Sequence, residues 1–112
     1  MKKFRFSMET VLHYREQLLD TLRIEHAAAI ARVREQKAVV AALQQRFDEV
    51  NEEYRDRKQQ GMTIADAVGY DLILRVQEKE IEKARETLAL RKREEESKRN
   101  EVIHAKTDKA TI

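Results

Sequence analysis

The sequence predicts an all-α fold, an antiparallel two-helix coiled coil (a long αα-hairpin) whose first helix overhangs the second. Ala, Glu, Lys, Leu and Arg make up 60 of the 112 residues, more than the rough half that is typical of long helices and coiled coils. The chain has no Pro and only two Gly, so β-sandwich turns and the Gly-rich loops of α/β enzymes lack their usual residues. Charged residues reach 39% and aromatic residues 5%. The apolar side chains are therefore enough to line a seam between helices and too few to fill a globular core.

The first helix is predicted over residues 8–60. Ser7 is a favourable N-cap, and Glu9 stands in the first turn, where the helix dipole stabilises a carboxylate. Ten of the thirteen a and d positions between Leu12 and Tyr54 are apolar, and a 3.5-residue repeat kept over six heptads predicts a supercoiled seam. The apolar seam residues are Leu12, Leu19, Leu22, Ala29, Val33, Val40, Leu43, Phe47, Val50 and Tyr54.

Residues 61–69 are predicted to form the turn. Gly61 ends the first helix, and Thr63 with Asp66 three positions later is a capping signal. Residues 64–68 are either a short helix or the first turn of the second long helix. That second helix is predicted over about residues 70–106, and residues 107–112 carry no periodic signal and are predicted to fray.

A short break makes the two helices antiparallel neighbours. If Tyr54 meets Leu74, then Leu19 needs a partner near residue 109 and Leu12 has none, so the first helix overhangs the second. Such an apolar patch usually marks an interaction site, although dimerisation through this end or loss of a C-terminal segment would explain it equally well. The overhanging apolar residues are Phe4, Phe6, Val11, Leu12, Leu18 and Leu19.

Polar residues interrupt the seam at Arg15, His26 and Gln36. Polar seam residues often fix helix register at a cost in stability. Alternatively, these three layers are not buried in the hairpin and face a different protein.

Three aromatic residues, Phe47, Tyr54 and Tyr70, cluster near the turn. We predict that they anchor the apolar end of the hairpin, and the alternative is an exposed surface for a partner. The run of residues 91–99 alternates three basic, three acidic and further basic residues. We predict that these charges pair with one another along the helix, a docking stripe being the alternative.

The residues give no sign of catalytic or metal chemistry. His13 and His26 are not four positions apart, as a helical metal pair would be. His26 and His104 could approach each other across the hairpin beside Glu25 and Glu101, but a seam residue and a surface residue are the favoured interpretation. Paired glutamates at 52–53 and 94–96 stand in water, with no cleft to shift their pKa values. We therefore predict no enzymatic activity, no cofactor and no metal.

Charge and hydropathy exclude further classes of protein. The 23 basic and 21 acidic residues are interspersed, giving a net charge of +2, whereas nucleic-acid binders concentrate positive charge on one face. No apolar run is long enough to cross a membrane, and the basic start lacks the apolar stretch of a secretory signal. We predict a cytoplasmic protein that binds neither nucleic acid nor a small-molecule substrate.

The N-terminal segment resembles the signature of the FliJ family, soluble coiled-coil components of the bacterial flagellar type III export apparatus. The resemblance rests on residues 4–16, FRFSMETVLHYRE, and continues through Glu53-Tyr54-Arg55, the Gly61 break and Tyr70. It implies an antiparallel two-helix coiled coil, similar to the central stalk of rotary ATPases. It also implies binding to the hexameric export ATPase FliI, to the export gate protein FlhA and to export chaperones, with peripheral association at the inner membrane through the apparatus.

The resemblance also implies two sets of site residues. The ATPase-binding set comprises Phe4, Arg5, Phe6, Val11, Leu12 and Arg15. The export-gate-binding set comprises Leu43, Phe47, Val50, Tyr54 and Ile73, with Gln77 and Glu80 more polar than this surface would require. Two other functions remain open, a self-associating structural or chaperone-like coiled coil and the equivalent stalk of a virulence injectisome.

Overall fold

Two α-helices make up the computed structural model, which describes the backbone of residues 2–110 and the side chains of residues 8–110. Helix α1 spans Lys2–Gln60 and helix α2 spans Ile64–Ala110, joined by residues 61–63. The described backbone contains no strand. The predicted all-α hairpin is confirmed.

Gly61 and Thr63 determine the turn. Gly61 has a φ of 99°, in the region that side chains with a Cβ disfavour, and such a residue commonly ends a helix. The hydroxyl oxygen of Thr63 accepts the N–H of Asp66 at 3.2 Å, and its carbonyl accepts the N–H of Ala67 at 3.1 Å. Thr63 is therefore the N-cap of α2, and the predicted capping signal is confirmed.

The two glycines should respond to alanine substitution with opposite signs. A Cβ at either position would meet nothing within 4 Å, so only backbone preferences differ. Gly61→Ala should lower the free energy of unfolding by about 1 kcal/mol because of its positive φ. Gly69→Ala, inside α2, should raise it by about 1 kcal/mol because Ala is the better helix former. Urea denaturation followed by circular dichroism measures both, and changes of the same sign would contradict this assignment.

Three helix boundaries differ from those predicted. Helix α1 begins at Lys2 rather than at residue 8, so Ser7 lies within the helix and is not its N-cap. Helix α2 begins at Ile64 rather than near residue 70 and continues through Gly69, because one glycine costs a helix only about 1 kcal/mol; residues 64–68 are thus the first turn of the second long helix, as the second of the two alternatives predicted. The same helix includes residues 107–110, which were expected to fray, and Lys109 in this segment pairs with Glu16 at 3.7 Å.

The chain divides into two compact units. The turn unit comprises Arg34–Leu90, and the terminal unit comprises the residues up to Val33 together with those from Arg91 onward. Both helices contribute to each unit and run antiparallel within it. In each unit, a few side chains that are almost fully buried form the core.

In the turn unit, the helices pair about one turn closer to Gly61 than predicted. The ring of Tyr54 stacks on Tyr70 rather than meeting Leu74, with ring centroids 5.0 Å apart and planes within 8°. The reason is the short loop: Tyr54 and Tyr70 lie equally far along the chain from Met62, the central residue of the three-residue connection.

In the terminal unit, Leu19 also pairs with residues of α2 about one turn away from those predicted. Leu19 is 3% exposed and packs in a cluster with Val102 and Ala105, against which Leu22 also packs. It was predicted to need a partner near residue 109 and to belong to the overhang. Leu19 is instead part of the core.

The overhang of α1 is shorter than predicted, because it excludes Leu18 and Leu19. Arg15 donates a hydrogen bond from its guanidinium to the carbonyl of Asp108, close to the last described residue of α2, Ala110. Met8, Val11 and Leu12 precede that contact and are 58%, 41% and 37% exposed. This apolar segment of α1 is therefore partly exposed among the described residues of the terminal unit.

Candidate functional site

The first candidate site is the overhang. Val11 and Leu12 expose apolar surface there, together with Met8. Residues 8, 11, 12 and 15 share one face of a helix because they follow the spacing i, i+3, i+4, i+7. The side chains of Phe4, Arg5 and Phe6, predicted for the same site, lie outside the described residues.

A groove in the terminal unit lies beyond the overhang. Leu18 and Leu22 of α1 face His104 and Ala105 of α2 across it. Leu18, which was expected to overhang, therefore lies beside α2 for the same reason of register as Leu19. His104 contributes to this surface and does not meet His26.

The three polar seam residues all make hydrogen bonds between the helices. Arg15 donates to the carbonyl of Asp108, His26 Nε2 lies 3.1 Å from a carboxylate oxygen of Glu95, and Gln36 Nε2 donates to the carbonyl of Ala84 at 2.9 Å. Polar groups that find cross-helix partners support the first of the two interpretations, in which they fix register. Arg15, in the predicted ATPase-binding set, is thus held by the hairpin itself.

Charge pairs surround His26 in the terminal unit. Glu95 also accepts a hydrogen bond from Arg99 at 3.0 Å, and Lys98 contacts both Glu25 at 3.0 Å and Glu101 at 3.2 Å. The hydrogen bond from His26 lowers the pKa of the Glu95 carboxyl, with the charge of Arg99 acting in the same direction. The hydrogen bonds to Glu25 and Glu101 raise the pKa of the Lys98 ammonium. Both pKa shifts favour the charged forms of Glu95 and Lys98, as ion pairing does.

Half of the eight charged residues in the run 91–99 pair with one another. Arg91 lies 3.2 Å from Glu94, and Arg99 lies 3.0 Å from Glu95. These i, i+3 and i, i+4 pairs confirm the predicted self-pairing along the helix. Sequence reasoning missed the cross-helix contact of Lys98 with Glu25, because it depended on the exact register.

The aromatic residues near the turn belong mainly to the core. Tyr54 is 8% exposed and stacks on Tyr70, with the ammonium of Lys58 3.9 Å from the Tyr54 ring centroid. Burial raises the pKa of the Tyr70 hydroxyl, and a hydrogen bond with Glu53 acts in the same direction. The predicted aromatic anchor of the hairpin is confirmed for this pair, and a stacked pair of this kind contributes about 0.5–1.5 kcal/mol beyond area burial.

The second candidate site is a groove in the turn unit that we call the apolar groove. Leu43 and Ile73, two residues of the predicted gate-binding set, both line it. Beside Ile73, Leu72 and Val76 expose 58% and 56% of their surface. The side-chain oxygen of Gln77, in the same groove, is buried without a hydrogen-bond partner among the described residues.

The other predicted gate-binding residues are not in the apolar groove. Phe47 lines a different groove of the turn unit, which shares no lining residue with the first. Val50 is half-buried between the helices, and Tyr54 is buried. The structure thus brings together two of the five residues, Leu43 and Ile73.

Sequence reasoning missed an apolar stripe on α2. Ile64, Val68, Leu72 and Val76 are spaced by four residues and are between 52% and 85% exposed. A spacing of four residues keeps side chains on one face of a helix. The sequence contains these four apolar residues at their regular spacing, but they lie outside the heptad seam to which Leu74 belongs.

Neither metal chemistry nor a membrane span finds support in the described residues. No group of three or more His, Cys, Asp or Glu side chains within them could hold a metal ion. Neither helix, in the part of the chain that the structure describes, carries an apolar stretch of membrane-spanning length.

Comparison with known proteins gives one result. The family model described as the flagellar FliJ protein matches residues 4–112, nearly the whole chain. Comparison with curated proteins and with solved structures gave no match. The resemblance noted for residues 4–16 therefore extends over both helices and the turn.

Proposed function

Because the chain belongs to the FliJ family, the non-catalytic coiled-coil components of the flagellar type III export apparatus, we propose that it acts as a stalk within that apparatus. In this proposal it binds the hexameric export ATPase, promotes assembly and turnover of the ATPase ring, and links the ring to the export gate and to export chaperones. The family match carries the proposal. Its flagellar description favours the flagellar system over a virulence injectisome.

The overhang is the proposed ATPase-binding end. Its residues are Phe4, Arg5, Phe6, Val11, Leu12 and Arg15. Val11 and Leu12 are 41% and 37% exposed among the described residues, and apolar patches of this kind often mark protein contacts. Arg15 has two roles in this proposal. It contacts the ATPase, and its guanidinium also joins α1 to α2.

An asymmetric hairpin in a ring contacts only some subunits at a time. Binding of that kind favours particular nucleotide states of the ring, which is a coupling free energy between the stalk and the ATP sites. The chain itself supplies no catalytic group in this mechanism. It raises turnover by selecting the ring conformations that it binds most tightly.

The turn unit is the proposed gate-binding end. Leu43 and Ile73 supply accessible apolar surface, and Leu72 and Val76 extend it. Of the remaining residues in the proposed gate set, Phe47, Val50 and Tyr54, the buried Tyr54 would support the surface by holding the two helices together.

The proposal also includes binding to export chaperones and peripheral association with the inner membrane, and it assigns no residues to either. In the proposal the protein is cytoplasmic and reaches the membrane only through the export apparatus. Neither a cofactor nor a nucleic acid is required for this role.

Leu72→Glu should weaken binding to the cytoplasmic domain of the gate protein about tenfold or more. A charge would replace an exposed apolar side chain that lines the groove, and tenfold weaker binding corresponds to about 1.4 kcal/mol, the size of loss expected for an energetically important interface residue. Isothermal titration calorimetry measures the affinity, and binding to the export ATPase should be unchanged because it uses the other unit.

The matched control for this variant is Leu90→Glu. Leu90 is also in α2 and is 50% exposed, compared with 58% for Leu72. Since it lies in neither groove of the turn unit, its substitution should leave both affinities unchanged. An equal loss of gate binding in both variants would rule out the apolar groove as the binding surface.

The exposed overhang also supports a second candidate function, a self-associating structural coiled coil. In that case the apolar surface around Leu12 pairs with a second copy. Sedimentation velocity over a range of concentrations would then show a dimer that Leu12→Glu abolishes. A monomer at the highest concentration would exclude this function.

A further inference from the structure

The second groove of the turn unit combines an apolar floor with a row of acidic side chains. Phe47 of α1 and Ile81 and Ala89 of α2 form the floor. Glu78, Glu82 and Glu86 of α2 form one edge, and we call this surface the acidic groove.

The three glutamates repeat every four residues along α2. They therefore lie on one face, about 6 Å apart per step along the helix axis. Like charges at this spacing repel each other and slightly destabilise a helix. Among the side chains that the structure describes, none forms an ion pair with these three carboxylates.

The basic residue in the acidic groove is already engaged with α1. The guanidinium of Arg85 donates to the side-chain oxygen of Gln44 at 3.0 Å, and the amide nitrogen of Gln44 donates to Asp48 at 3.1 Å. Arg85 is thus held toward α1 by this hydrogen-bonded chain. The row of glutamates keeps its negative charge toward solvent.

We propose that the acidic groove binds a basic amphipathic helix of a protein partner. The apolar face of that helix packs on the half-buried Phe47 and the exposed Ala89, whereas Ile81 stays in the core, and its Lys or Arg residues, spaced by four, meet Glu78, Glu82 and Glu86. Binding of an amphipathic helix in a groove between helices is a common mode of recognition, and the complementary charges select a basic helix over an acidic one. The acidic groove shares no lining residue with the apolar groove, although Phe47 belongs to the proposed gate-binding set as well, so the substitutions that test this inference are confined to Glu78, Glu82 and Glu86.

The test uses two synthetic peptides of 18 residues. Both carry the same leucine face, and three positions spaced by four are Lys in one peptide and Glu in the other. Fluorescence anisotropy should show that the Lys peptide binds the full chain at least tenfold more tightly than the Glu peptide. This preference should decrease as salt is raised, because exposed charge pairs are screened.

The decisive variant is the triple substitution Glu78→Lys, Glu82→Lys and Glu86→Lys, which should reverse the preference so that the Glu peptide binds more tightly. The matched control, Glu35→Lys with Glu52→Lys and Glu96→Lys, makes the same change in net charge at exposed positions outside the groove and should keep the preference for the Lys peptide. Circular dichroism verifies that both variants remain helical.

Three results would overturn the proposal. The first is equal binding of both peptides to the unsubstituted chain. The second is a reversal by the control triple as large as that by the groove triple, which would mean that net charge alone decides. The third is a dimer of the unsubstituted chain, seen by sedimentation, that the groove triple abolishes, because a second copy would then occupy the groove.

Discussion

Leu19→Ala should lower the free energy of unfolding by about 2–5 kcal/mol, the usual cost of truncating a buried leucine. Leu19 is 3% exposed and is the largest side chain in a cluster whose other buried members are Val102 and Ala105. Alanine would leave a cavity between the helices of the terminal unit. Urea denaturation followed by far-ultraviolet circular dichroism measures the change.

The neighbouring Leu18→Ala is the matched control. Both substitutions replace leucine by alanine in α1, but Leu18 is 39% exposed and Leu19 only 3%, so truncating Leu18 should cost about 1 kcal/mol, because less apolar area is buried there. Equal costs at the two positions would contradict the register in which Leu19 packs against α2.

Leu12→Glu should weaken binding to the export ATPase about 30-fold, which corresponds to the roughly 2 kcal/mol that defines a hot spot. The substitution places a charge on the uncovered face of the overhang, where Leu12 is 37% exposed. Folding should be unaffected because the described part of α2 makes no core contact there. Surface plasmon resonance with the immobilised ATPase measures the affinity.

Ile24→Glu serves as the control for this second variant. Ile24 is 71% exposed on α1 and lies twelve residues beyond Leu12, roughly 18 Å along the helix. We expect its substitution to leave ATPase affinity unchanged. If it matched the loss caused by Leu12→Glu, the binding surface would not be confined to the overhang.

The fold was predictable because the sequence carries few competing signals. Leu19 and Leu22 belong to heptads that specify a helix, Gly61 specifies the end of that helix, and Thr63 caps the next one. Each of these signals is local and does not depend on the rest of the chain. The turn chemistry is local, so Thr63 and Asp66 appear in the structure as expected.

The register was not predictable to better than a turn. Heptad periodicity fixes which face of each helix is apolar, but neighbouring registers one turn apart bury similar sets of residues. The start of α2 at Ile64 rather than at residue 70 moved Tyr54 from Leu74 to Tyr70. A boundary error of a few residues therefore changes every cross-helix pair.

The candidate sites also differ in how much of each one the sequence predicts. The overhang followed from helix lengths alone, and it remains at Val11 and Leu12 although Leu18 and Leu19 leave it. The two grooves of the turn unit depend on which residues of α2 lie beside Phe47 and Leu43. Only the three-dimensional pairing of the helices shows that the two grooves are separate and that a row of glutamates lines one of them.

The central claim is that the overhang couples this chain to the export ATPase. The most direct test is to titrate the full chain into the hexameric export ATPase of the same organism and to follow ATP turnover and ring assembly together. The stalk proposal predicts that both rise, and that both effects disappear when residues 1–16 are removed while the truncated chain stays helical and still binds the gate domain. Equal stimulation by the truncated chain, or no stimulation by a full chain verified as folded, would contradict it.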